Sequence, residues 1–194
     1  RDRSVSRGLG DVYKRQLKEI KAEIGVPYIL VNNAGITRDG LMIRMKEDQF
    51  DAVIRTNLKG AFNMLSQCGA MMMRAKQGRI INITSMSAHL GFSEVVPYCT
   101  SKGAVLAMTR ALAVEWAGDN ITVNSIAPGW FRSKMNEQVV DAAREQKILN
   151  RMPLHAYGDT RDLGKMAEFL VGDGASYITG QDFAVDGGAL AYGY

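Results

Sequence analysis

Cysteine, histidine and proline are all scarce in this chain of 194 residues: two, two and four respectively. Cys68 and Cys99 have neither metal-ligand nor redox spacing, so no metal site is expected and a reducing, cytoplasmic setting fits. Cys99 reads as a small helix-packing residue rather than a nucleophile. His89 and His155 show no partner pattern and are expected to be structural or part of a substrate loop. No run of 18 apolar residues is present, which removes a membrane helix from the expectations. No apolar stretch of about seven or more residues near the start marks a secretory signal.

Charge of one sign is concentrated rather than abundant. The formal net charge is +4. Arg1, Arg3, Arg7, Lys14 and Arg15 against Asp2 and Asp11 place +3 of that in residues 1–16. The basic balance therefore argues for neither nucleic-acid nor membrane partners. Residues 1–16 read as foreign to the rest of the chain and resemble translated sequencing-adapter sequence. The expected organisation is a leader over 1–16 and one domain over 17–194. Ser6-Arg7-Gly8-Leu9-Gly10 imitates a nucleotide-binding glycine loop, but no apolar strand precedes it and a lone pair of glycines is poor evidence.

With 46% hydrophobic residues a sizeable core is available. Apolar runs and helical stripes alternate: helix 17–24, strand 28–31, helix 47–75, strand 79–84, helix 98–117, strand 121–126, helices 133–149 and 160–171, strand 181–185. Such alternation implies α/β architecture with a parallel sheet and a single domain. Met71, Met72 and Met73 continue the stripe of Phe50 and are expected in the core or a subunit contact.

The chemistry lies in Ser85 and Tyr98-x-x-x-Lys102. Tyr98 and Lys102 are four apart on a helix and project from one face. A phenol with a free pKa near 10 is a poor acid at neutral pH. A neighbouring ammonium is expected to draw it toward the working range. Ser85 closes the run Arg79-Ile80-Ile81-Asn82-Ile83-Thr84, at the carboxyl end of a strand, where ligands bind in open α/β sheets. The trio suits proton transfer to or from a carbonyl or alcohol oxygen. Asn57 interrupts an apolar helical stripe, where a short amide is a mediocre helix former.

Asn32-Asn33-Ala34-Gly35, Asn57, Ser85, Tyr98 with Lys102, Pro128-Gly129 and the closing Val185-Asp186-Gly187-Gly188 succeed one another in an order that resembles the short-chain dehydrogenase/reductase family. The resemblance implies a Rossmann-like, doubly wound parallel sheet and hydride transfer with NAD or NADP, NADPH being slightly favoured. It implies Tyr98 as general acid in reduction and Lys102 as the residue that lowers its pKa and holds the nicotinamide ribose. Ser85 would bind the substrate oxygen, and Asn57 would distort its helix to hold a relay water. Cofactor contacts fall to Asn33, Ala34, Gly35, Tyr98, Lys102, Pro128, Gly129, Phe131 and Ser133. The stretch from Trp130 to Gly158 corresponds to the family's substrate lid, and the long helices to its homotetramer interface. Only 31 residues precede Asn32, while a βαβ unit takes about 30 or more. The family's first strands and their glycine-rich loop are therefore expected to be missing.

Within the family, Asn33 to Lys46 is similar to 3-oxoacyl-[acyl-carrier-protein] reductases, the favoured reading, with acyl carrier protein as partner. Lys76 falls where those enzymes offer a cation to the carrier, but Asp119 occupies a second basic position. Ala113 to Ala117 and Ala127 to Asn136 look more like gluconate or polyol dehydrogenases, the alternative. A third reading is a catalytically dead fragment.

Overall fold

Four short apolar segments pair side by side in parallel, in the same order in space as in sequence: β1 (Ile29–Asn32), β2 (Gly78–Ile83), β3 (Ile121–Pro128) and β4 (Asp182–Val185). The structure, a computed structural model, describes residues 4–132 and 142–192. Ile29 pairs with Arg79, Gly78 with Ile121 and Ser125 with Asp182, so the strands' carboxyl ends lie along one edge. Neighbouring parallel strands need long crossovers, and helices supply them. These are α2 (Glu47–Val53) and α3 (Gly60–Ala75), α4 (Val96–Trp116), then α5 (Ala142–Asn150) and α6 (Thr160–Val171). A first helix, α1 (Ser4–Glu23), precedes β1.

Strand side chains alternate between faces, and both faces are covered. Ile80, Ile121 and Val123 join Leu65, Met72 and Trp116 of α3 and α4 in one cluster. Ile81 and Ile126 point the other way, against Leu170 and Met166 of α6. This is the doubly wound arrangement expected. Ile80, Ile81 and Ile126 are essentially inaccessible, each burial stabilising by about 1.5–3 kcal/mol. α3 and α4 approach so closely that a Cβ on Gly69 would sit 2.5 Å from the Trp116 ring.

Several boundaries differ from the sequence reading. The helix expected from residue 17 begins at Ser4, runs unbroken across Gln16 and Leu17, and buries Leu17 against the α3 cluster. The glycine string at Ser6 to Gly10 lies inside that helix. The single helix expected over 47–75 is three pieces, because residues Ile54–Lys59 wind as a π-helix. β3 extends to Pro128, where the imino nitrogen's missing N–H costs no ladder bond at the strand's end. Of the helix expected over 133–149, the described part is α5. β1 pairs with β2 alone among the described residues, and Ile29 and Val31 remain 46% exposed.

Candidate active site

Ser85 follows β2 and caps a single 3-10 turn, Met86–Ala88, with its Oγ accepting from the Ser87 N–H at 3.1 Å. That bond fixes the oxygen and leaves the hydroxyl proton to point elsewhere. The Tyr98 phenol lies within its influence, and the hydrogen-bonding pull of Ser85 works to lower the phenol's pKa. Tyr98 sits in the first turn of α4, just after Pro97, which is pre-organised for a helix start.

Lys102, one turn on, is 4% exposed and reaches back to donate to the Ile83 carbonyl at 2.6 Å. Its Nζ lies 5.6 Å from the centre of the Tyr98 ring. Burial pushes the Lys102 ammonium down to about 8. Burial likewise raises the Tyr98 phenol above its ordinary value, Ser85 pulls it the other way, and the neighbouring Cys99 adds a smaller upward push. The lowering of the Tyr98 pKa expected from Lys102 is therefore not found: desolvation by burial raises the phenol, and the group that opposes it is Ser85. Cys68, buried in the α3 face, is held as a thiol, pushed up to about 11.

Asn57 explains the π-helix. The wider winding sends the Gly60 N–H back to the Arg55 carbonyl and turns Asn57 inward, 3% exposed. Its Oδ1 accepts from the Ile36 N–H at 2.8 Å and its Nδ2 donates to the Ile36 carbonyl at 3.0 Å and to Ser101 Oγ at 3.0 Å. Ser101 in turn donates to the Tyr98 carbonyl at 2.8 Å. The amide therefore ties the turn after β1 to the helix carrying Tyr98 and Lys102. Single-turn π segments of this kind recur at functional sites.

The turn after β1 brings Asn33, Ala34 and Gly35 past the same point. A Cβ on Gly35 would sit 3.5 Å from Asn57 Oδ1 and 3.6 Å from Lys102 Nζ, so the bare glycine keeps a gap open before both groups. A cavity of about 310 Å³ adjoins this gap, lined by Asn32, Asn33 and Ala34 with Tyr13, Arg55 and Lys59 opposite. None of Ser85, Tyr98 and Lys102 lines it.

On the far side, Gly129 donates to Val185 at 2.9 Å, and any side chain there would collide with the Asp186 backbone at 2.5 Å. The Pro128-Gly129 pair thus fastens β3 to β4 before the chain leaves the sheet. Phe131 is buried and bridges to Gly158. Ser133 lies outside the described residues. His89, for which the sequence shows no partner pattern, lies with its Nε2 2.5 Å from Asp182 Oδ2. Neither residue forms a sequence motif with the other, and the β2–β3 and β3–β4 pairings together bring them into contact. Among the described residues no cluster of His, Cys, Asp and Glu could hold a metal, and no helix is long and apolar enough to cross a membrane.

Comparison with known proteins matches this geometry. A family model described as enoyl-(acyl carrier protein) reductase matches residues 11–189. The chain is 41% identical over 179 residues to the 3-oxoacyl-[acyl-carrier-protein] reductase FabG of Staphylococcus epidermidis, across 92% of this chain and 73% of that protein. The FabG of Thermotoga maritima is also 41% identical over 179 residues, across 90% and 72%. Among solved structures, a gluconate 5-dehydrogenase from Burkholderia cenocepacia, in complex with NADP and tartrate, superimposes with a TM-score of 0.91 at 34% identity. That match covers 93% of this chain and 71% of the other. With Ser85, Tyr98, Lys102 and Asn57 gathered at the carboxyl edge of a parallel sheet, the chain belongs to the short-chain dehydrogenase/reductase family of oxidoreductases.

Proposed function

We propose that this site transfers hydride between a nicotinamide cofactor, NAD or NADP, and a carbonyl or secondary alcohol. The observation that carries the reading is the meeting of buried Lys102 and Asn57 on one gap beside Gly35, with Tyr98 one helical turn from Lys102 and Ser85 acting on its phenol. The gap and the cavity along Asn33 and Ala34, apolar at Leu30, Val31 and Met64 with Arg55 and Lys59 at its lining, fit a dinucleotide: Asn33 to Gly35 offer backbone at close range, and Lys102 offers a cation. A bound nicotinamide supplies the hydride, and the remaining work falls to the chain. In reduction Ser85 orients the substrate oxygen and Tyr98 donates its proton to it. The raised phenol stays protonated at neutral pH, which is the form reduction consumes. Lys102, an ammonium below about pH 8, stabilises the phenolate left behind. Asn57 holds the turn and the helix in register while this occurs.

For the substrate, similarity to the FabG proteins supports a 3-oxoacyl thioester. One observation favours the second reading, a small polyol or sugar acid: Lys76 forms an ion pair with Asp119. The cation that would meet an acidic carrier is thereby already partnered. The outer faces of α3 and α4 expose Phe62 and Val114, which supports self-association of the family's kind. The test is turnover of an acetoacetyl thioester against 5-ketogluconate, with NADPH binding followed by fluorescence. Thioester reduction sustains the first reading, and ketogluconate reduction alone the second. Absence of submillimolar NADPH binding would overturn both in favour of an inactive chain. Asp119→Arg should improve use of carrier-bound over free thioester at least several-fold if the first reading holds. An unchanged ratio counts against it.

A further inference from the structure

One buried carboxylate grips both sides of the Ser85 turn. Asp182 opens β4, and its side chain is only 4% exposed. Oδ1 accepts from Ser125 Oγ at 2.5 Å and lies 2.8 Å from Thr84 Oγ1; Oδ2 lies 2.5 Å from His89 Nε2. Thr84 immediately precedes Ser85, and His89 ends the 3-10 turn that Ser85 caps, its N–H returning to the Met86 carbonyl at 3.0 Å. The two residues flanking the turn therefore both reach the same group, Thr84 being held as well to the Ile126 carbonyl by its N–H at 2.8 Å and its hydroxyl at 2.9 Å, and Ser125 anchors that group to β3.

A buried carboxylate is costly unless its oxygens are satisfied. Here both oxygens are engaged, and two of the three partners belong to the segment that carries Ser85. Because Asp182 faces Nε2, the ring donates from that nitrogen, which fixes its tautomer and orientation.

We propose that Asp182 and His89 form a positioning clamp that holds the Ser85 hydroxyl on Tyr98. The clamp rests on the proposed role of Ser85, but its first readout is independent of turnover. Tyr98 Cζ reports the Ser85 hydrogen bond by NMR in tyrosine-labelled protein, with Tyr98→Phe assigning the resonance. Ser85→Ala moves that resonance. His89→Ala should move it in the same direction, and His89→Gln, whose amide can still donate to Asp182, should restore it. In turnover, His89→Ala should lower kcat about 10- to 100-fold, leave the NADPH dissociation constant unchanged, and add nothing in a Ser85→Ala background.

A His89→Ala protein that melts earlier yet keeps the Tyr98 resonance would overturn the clamp. So would losses that multiply with those of Ser85→Ala. His89 is about a third exposed, so its replacement is tolerable. Thr84→Val, which cuts the other arm, is the second variant and should move the same resonance. If the resonances behave as stated while no carbonyl is reduced, the proposed function fails and the clamp stands.

Discussion

Lys102 and Tyr98 are buried together, and desolvation dominates both groups; that sets how the site responds to pH. The Lys102 pKa is depressed in the fold, to about 8 from 10.5, so the unfolded chain binds the extra proton between those values. Stability contributed through Lys102 therefore rises as pH climbs from about 8 toward 10.5. Tyr98 and Cys68 are shifted upward and act in the opposite direction, which makes the comparison with Lys102→Met the informative one. The variant's advantage in urea unfolding should shrink by up to about 3 kcal/mol between pH 7 and pH 10; a constant difference would show that the ammonium is not strained by burial. Tyr98→Phe should abolish turnover while leaving NADPH binding within about threefold, since only the phenolic proton is removed; retained turnover would reassign the acid. Ser85, Tyr98 and Lys102 were legible because their spacing is local and the strand-end position of Ser85 follows from one apolar run. His89 and Asp182 were not, because their meeting depends on which strands become neighbours.

At the level of elements, the π-helix is where pattern reading stops short. Phe50, Val53, Ala61 and Leu65 carry an apolar stripe straight through it, so periodicity reports one helix. The wide turn is set instead by the partners of the Asn57 amide, namely the Ile36 backbone and Ser101. Asn57→Ala leaves the partly buried Ile36 N–H and C=O without their side-chain partner, at about 1–3 kcal/mol. Thermal melting should fall accordingly, with weaker NADPH binding; an unchanged melt would mean the π-helix stands without its amide. The close α3–α4 crossing makes its own demand: Gly69→Ala must displace Trp116 and should cost about 1–3 kcal/mol by overpacking, read as a lower urea midpoint. The start of α1 escaped sequence reading because Gly8 and Gly10 are poor helix formers, yet the helix runs through both and gains the burial of Leu17.

Across the whole molecule, the sheet's two rims are unequal. β1 presents one unpaired edge among the described residues, with Ile29 and Val31 half-exposed beside it. An apolar edge of this kind pairs readily with another chain. Sedimentation should therefore show concentration-dependent association that Val31→Lys reduces, and an equally associated variant would place the contact elsewhere, on the outer faces of α3 and α4. The strand order supplies a further consequence. Since β1, β2, β3 and β4 adjoin in the order in which they are synthesised, each strand leaving a ribosome finds its neighbour already made. Such a sheet grows by accretion at one rim, without waiting for a distant segment to thread between strands already joined. The edge that carries Ser85 would then be completed late, when β4 delivers Asp182 to a Ser85 turn that has been waiting since β2.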